Sequence, residues 1–284
     1  MKLFKTTTTY ALLLLLWLSM TAVITLNDQS ASAYLSSSPM GISIFMEIFG
    51  LLPLYLLGAV SGMILFCELD HRWFGKVMVL VSFMFCIATV ATVSFYISQV
   101  WIGEPSVIWI GIAGVSGLLF LCVRFVAKQL CANRDIEVLK NALIAIVSIL
   151  TVMIVIESLK LIGGRVRPYD VSSGSMFTPW YMFNLAGAGK SFPSAHAAYS
   201  MMAFGFAGFL PKRSFRKRVM MIAAILLCIA VSLSRVNISA HYLSDVWFGA
   251  SISLFLQIII SQKLDNKMAF QERFSKALRH EIFK

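Results

Sequence analysis

The chain has 284 residues, 59% apolar and 13% charged, with a mean hydropathy of +0.83 and a formal net charge of +11. That balance excludes an ordinary soluble domain and places the chain among membrane proteins. It leaves little sequence for a separate soluble domain, and no internal repeat or low-complexity segment interrupts it.

Apolar stretches of roughly the 20 residues that cross a bilayer recur about eight times. Their centres lie near Trp17, Leu56, Ile87, Val115, Leu150, Phe204, Leu227 and Leu254. The predicted fold is all-α, a polytopic membrane helical bundle of about eight transmembrane helices. Lys2 and Lys5 precede the first apolar run, Tyr10 to Leu26, and Ala31-Ser32-Ala33 follows it. This is the order of parts in a cleavable signal peptide. The run is long for such a signal and the Ala-x-Ala lies far from its end, so the segment is expected to remain as the first membrane helix. Asn27 to Pro39 is Ser-rich and without cations, as suits an outer loop. An inner loop is expected at Glu68 to Arg72, an outer turn at Gly103-Glu104-Pro105, and a polar, helical inner segment from Arg124 to Lys140. The fifth span, about Asn141 to Leu159, delivers Lys160 to the outer surface. The stretch from Lys160 to Pro193 is the longest piece outside the membrane, rich in Gly, Ser and aromatics. The sixth span is expected to start at Ser194-Ala195-His196, the seventh to end at Ser234-Arg235, and the eighth to start at His241.

The strong positive charge invites a nucleic-acid reading, but its distribution argues against one. With the N-terminus inside, 19 of the 24 Lys and Arg residues fall in inner loops and the tail. Positive charge in short loops marks the cytoplasmic side. The five exceptions are Lys160, Arg165, Arg167, Lys190 and Arg235, all outer. The five cysteines fall within spans or at their inner ends, without metal-ligand spacing, and read as small packing residues.

Three polar patches therefore emerge on one face of the membrane. They are Lys160 to Pro168, Pro193 to His196, and Ser234 to Asp245. A bilayer penalises such groups unless they have work to do. His241 and Asp245, four apart at a helix start, share a face. A carboxylate on one imidazole nitrogen fixes the tautomer and leaves the other free to attack; a structural helix-end hydrogen bond is the plain alternative. Ser194 is placed as an N-cap, which turns the following amides toward an anion. A helix N-terminus lowers the pKa of a histidine such as His196, and a bound phosphate raises it. Lys160, Arg167 and Arg235 suit the non-bridging oxygens of a phosphoryl group, with arginine's planar fork matched to phosphate. Pro168 favours an extended Arg167. Lys160 alone also fits a helix-end lysine paired with Glu157 one turn back. Arg165 fits a solvated loop arginine, or a contact to a second phosphate.

Three other chemistries remain open on these residues. A serine hydrolase would use Ser194, His241 and Asp245, yet no Gly-x-Ser-x-Gly elbow is present. A metalloenzyme would use His196, His241 and Asp245, yet no helical His-Glu-x-x-His pattern exists. A transporter or binder of anionic lipid would use the cations, with intramembrane Glu47 in support; Glu47 also reads as a buried polar contact between helices.

The pattern Lys-x6-Arg-Pro, Pro-Ser-x-His, Ser-Arg-x5-His-x3-Asp resembles the three-part signature of the type 2 phosphatidic acid phosphatase family, in order and in spacing. These are membrane lipid phosphate phosphatases, related at their site to vanadium haloperoxidases. The resemblance implies His241 as the nucleophile that becomes a phosphohistidine, oriented by Asp245. His196 would protonate the leaving group and then activate water. Lys160, Arg167, Ser194, Ala195 and Arg235 would bind the phosphoryl oxygens. It implies no metal and no cofactor; the partners are a lipid phosphate substrate and the bilayer, with no nucleic acid. Ala195 departs from the family's usual Gly, which bears on the amide contact to the anion. The implied organisation is two N-terminal transmembrane helices in 1–70, a six-helix phosphatase core in 71–262 and a basic cytoplasmic tail in 263–284. Hydrolysis and transfer to a second lipid both fit these residues.

Overall fold

A computed structural model describes residues 2–37, 41–68, 73–100, 105–132, 136–172, 174, 176–185, 187 and 189–282. Among them all regular structure is helical, as predicted: α1 (Lys2–Ser36), α2 (Gly41–Glu68), α3 (Trp73–Val100), α4 (Pro105–Cys131), α5 (Ile136–Gly163), α6 (Pro168–Ser172), α7 (Ala195–Ser200), α8 (Phe215–Asn237) and α9 (Leu243–Ile282). The expected turn residues Gly103 and Glu104, inner-loop residues 69–72, and Arg134 lie outside the described residues.

Six segments among the described residues are long and apolar enough to cross a membrane: Ala11–Ser36, Phe45–Cys67, Lys76–Ser94, Ile136–Val171, Phe215–Asn237 and Leu243–Asn266. They make the chain a multi-pass membrane protein, with six such helices where about eight were expected. The expected sixth span, near Phe204, is only the six residues of α7 followed by a 3-10 segment, Met201–Phe209. Apolar composition there marks burial, not a regular spanning helix. The expected fourth span, near Val115, lies in α4, of which the side chains of residues 105–114 are outside the description.

The Ser-rich stretch after the first span is a correction. It was expected as a loop from Asn27, but α1 continues to Ser36. Its polar side chains return their hydrogen bonds to the helix: Asn27 Nδ2 donates to the Val23 carbonyl at 2.9 Å and Ser36 Oγ to the Ala33 carbonyl at 3.1 Å. Asp28 and Ser32, one turn apart, are buried on one face.

The chain forms two compact units. The first comprises Met1–Gly50, Val155–Ala198 and Leu226–Ser251. Here α1 is tied down along its length: Trp17 Nε1 donates to Ser251 Oγ at 2.9 Å, Trp247 Nε1 to Thr21 Oγ1 at 2.9 Å and Trp180 Nε1 to Thr25 Oγ1 at 3.0 Å. An aromatic cluster joins these anchors, with Trp180 and Phe248 centroids 4.3 Å apart. The second unit comprises Leu51–Ile154, Tyr199–Ile225 and Ile252–Lys284. Its core gathers Met63, Ile64, Cys86, Val123 and Ala127. It encloses a cavity of about 330 Å³ lined by residues such as Leu57, Ile144, Phe204 and Lys217, which contains none of the predicted site residues.

Candidate active site

All eight predicted site residues lie in the first unit. The chain reaches the site from α5 through Gly164, whose φ of +53° ends the helix. A Cβ there would stand 1.9 Å from the Asn184 carbonyl oxygen, so only glycine lets the outer loop fold back. Asn184 N donates to the Gly163 carbonyl at 3.1 Å and Ser191 N to the Arg165 carbonyl at 3.0 Å. The returning strand of chain thereby sets Ser191 and Ser194 against the start of α9.

That start is densely capped. The first amides of a helix have no partner inside it. Leu243 N donates to Ser32 Oγ at 3.0 Å and Ser244 N to Asp28 Oδ1 at 2.9 Å, both acceptors supplied by α1. Asp245, the third residue of α9, reaches back to accept from Tyr242 N at 2.8 Å, one half of a capping box. Its carboxylate also accepts from Ser191 Oγ and from Arg165 Nη1 at 2.6 Å.

Arg165 is the feature sequence reasoning missed. It is 1% exposed, neither a solvated loop residue nor open to a second phosphate. Its guanidinium donates to Asp245, to Ser244 Oγ at 2.7 Å, to Asp28 Oδ2 at 2.7 Å and to the Thr178 carbonyl at 2.8 Å. It also lies 4.1 Å over the Tyr242 ring. A buried arginine between two buried carboxylates fixes Asp245 in place. The missed signal was Asp28 and Ser32, four apart in a stretch otherwise without charge.

His241 follows from the end of α8. Ser239 takes the left-handed conformation at φ 57°, and both Ala240 N and His241 N bond back to the Arg235 carbonyl at 3.1 and 3.2 Å. The turn thus sets His241 close behind Arg235. His241 Nδ1 lies 2.8 Å from the Ser191 carbonyl and 3.5 Å from Asp245 Oδ2. The shorter contact decides the tautomer. A carbonyl only accepts, so Nδ1 carries the proton and Nε2 keeps its lone pair. Asp245 stands behind as a longer-range partner. Burial pushes the His241 pKa below its ordinary value, against the opposing pull of Asp245, with Arg235 and Arg167 adding to the depression. That depression favours the neutral ring.

His196 is the second residue of α7. Ser194 caps this short helix, accepting from Ala197 N in a long contact of 3.5 Å. Ala195 adds no strain, because it is not among the residues at positive φ. Burial, then the positive charge of Arg235, Lys160 and Arg167, holds the His196 pKa down to about 2. Lys160 is paired with Glu157 Oε1 at 2.9 Å, and Arg167 Nη1 donates to Tyr169 OH at 3.2 Å. Arg235 is buried, and its Nη1 lies 2.7 Å from Glu47 Oε1. The first unit therefore holds two histidines, one locked carboxylate and three cations. Among the described residues no group of three or more His, Cys, Asp or Glu is arranged as metal ligands.

Residues 141–269 match the PAP2 superfamily. The match contains all eight predicted site residues, while α1 and α2 precede it. No match was found among curated proteins or among solved structures. The segment similar to that superfamily thus lies within a chain of apolar spanning helices. Asp28 and Glu47 reach the candidate site from outside the matched segment.

Proposed function

We propose that the protein hydrolyses the phosphomonoester or pyrophosphate of an amphiphilic lipid, through a phosphohistidine on His241, at the extracytoplasmic face of a bacterial inner membrane. The observation that carries this reading is the fixed tautomer of His241. With Nδ1 held by the Ser191 carbonyl at 2.8 Å, Nε2 is a free nucleophile at neutral pH. Nε2 attacks phosphorus and the bond to the leaving oxygen breaks. Lys160, Arg167, Arg235, Ser194 and the backbone at Ala195 hold the non-bridging oxygens as charge spreads over them. The phosphoryl dianion raises the His196 pKa on binding, and the imidazolium then gives its proton to the leaving oxygen. In the second half His196 takes a proton from water, which attacks the phosphohistidine and releases phosphate. These steps call on no metal and no cofactor.

Charge supports the facing. α8 begins within the basic run 211–218 and carries Arg235 in its last turn, a span's length away, which supports a site away from the positive, cytoplasmic side. The candidate substrates are a polyprenyl pyrophosphate, phosphatidylglycerol phosphate, phosphatidate or the phosphates of a lipid A-like glycolipid. Tyr169, Trp180 and Tyr181, in the loop between the first two polar patches, are residue types that favour the membrane interface and suit selection among them.

The test is phosphate release by purified protein in detergent across that lipid panel, with chelator present and with His241→Ala alongside. Release that survives chelator and falls below about a thousandth in the variant supports the reading. Release that persists in the variant, or that chelator abolishes, contradicts it.

A further inference from the structure

Helix α2 turns one face to the site at helical spacing: Ser43, Glu47 and Gly50. Ser43 Oγ donates to Asn237 Oδ1 at 2.7 Å. Gly50 makes the closest approach. A Cβ there would stand 2.9 Å from Val231 Cγ1 and 3.1 Å from His196 Cδ2. Between these anchors, Glu47 Oε1 lies 2.7 Å from Arg235 Nη1 and 4.0 Å from His196 Nε2.

The Glu47–Arg235 contact is close but poorly aligned. Arg235 Nε and Nη1, and His196 Nε2, are buried without a hydrogen-bond partner among the described residues. Buried polar groups are almost always bonded, and exceptions of this kind mark sites with a role. Glu47 balances the charge of Arg235 while leaving its N–H groups open to a better acceptor. A tetrahedral phosphoryl group, with several oxygens to offer, is such an acceptor. The carboxylate and a phosphoryl dianion repel each other on the same guanidinium.

We propose that Glu47 is a specificity-determining residue that competes with the phosphoryl group for Arg235. It holds the guanidinium in the empty site. It yields to a substrate whose lipid portion adds binding of its own, and it returns to Arg235 as free phosphate leaves. Small phosphate anions, with no lipid portion to offset its displacement, are disfavoured. The inference rests on the phosphatase reading above, and it gives a helix preceding the PAP2 match a part in selecting the substrate.

The experiment measures inorganic phosphate and orthovanadate as competitive inhibitors of lipid hydrolysis by the full chain. Their direct binding is followed in parallel by the shift of the unfolding temperature, independent of turnover. Glu47→Gln removes the charge at nearly constant size and should lower both inhibition constants by at least about fivefold, the low end of ordinary coupling between two ligands. KM for the lipid should fall by less. Glu47→Asp keeps the charge and should stay closer to the wild type. Constants that are unchanged or raised in Glu47→Gln would show that the carboxylate orients Arg235 and does not compete for it, and would overturn the proposal. So would failure of both variants to fold, which would make the pair purely structural. If the wild type neither hydrolyses any lipid phosphate nor binds phosphate, the phosphatase reading falls and this inference with it. A wild type that turns over, beside an unchanged Glu47→Gln, removes the role of Glu47 alone.

Discussion

Replacing Arg165 by Met should damage the protein more than any other single loss of charge in the chain. The methionine fills much of the same space but removes the positive charge between Asp28 and Asp245, which are 3% and 0% exposed. Two buried carboxylates then face each other without a counter-ion. Breaking a buried ion pair by removing one partner costs about 3–5 kcal/mol. Four hydrogen bonds are lost with it, to Asp28, Asp245, Ser244 and Thr178. At about 2–4 °C per kcal/mol for a protein of this size, the unfolding temperature should fall by roughly 6–20 °C. Asp245 would lose the partner that fixes its carboxylate, so activity should drop even where the fold survives. Arg165→Lys should fall between, since one ammonium cannot bridge both carboxylates and the Thr178 carbonyl at once. Adding Asp28→Asn to Arg165→Met should recover part of the loss, because one of the stranded charges is gone; a coupling of about 0.5–3 kcal/mol is expected for groups in one network. The assay is thermal unfolding in detergent with phosphatase activity measured on the same samples. An Arg165→Met protein as stable and active as the wild type would refute the account of the site's frame.

Three further predictions bear on the chemistry. Gly50→Ala should reduce kcat by an order of magnitude or more while leaving expression intact, because its Cβ would press on Val231 and His196; steady-state kinetics on folded protein checks it, and unaltered kcat speaks against close docking of α2. His196→Gln should slow both formation and hydrolysis of the phosphoenzyme by about 10²–10⁴-fold, the usual worth of an acid–base group, read by rapid quench. The third concerns pH. His196 and His241 are held below the ordinary histidine value of 6.5 in the folded protein. As pH falls through about 6.5 the unfolded chain takes up protons that the native state refuses, so stability should decline from there toward the lower folded values. Denaturation midpoints between pH 7.5 and 5 should show that decline, with a shallower slope in His196→Gln; an equal slope in both would show that His196 is not buried neutral.

The candidate site residues were legible because they are residue types that a membrane sequence otherwise avoids. Lys160, Arg167, His196, Arg235, His241 and Asp245 stand out against apolar runs, and their spacing survives folding. The frame around them was not legible. Arg165 looked like one more loop cation, since nothing local shows that Asp28, 137 residues away, comes to meet it. Asp28 and Ser32 sat in a Ser-rich stretch whose composition suits a loop, while α1 continues because those side chains bond to the helix itself or cap α9. Near Phe204 the apolar run folds as a short α-helix and a 3-10 segment, which hydropathy does not tell from one long α-helix. The partner of His241 Nδ1 was expected to be Asp245. The structure puts the Ser191 carbonyl nearer, a backbone group that no side-chain pattern could have announced.

The central claim is the nucleophilic role of His241, and trapping its covalent adduct tests it most directly. Protein mixed with ³²P-labelled lipid phosphate and quenched within a turnover should carry acid-labile, base-stable label, placed on His241 by mass spectrometry and absent in His241→Ala. Steady release of phosphate with no label on His241 at any time point would contradict the account.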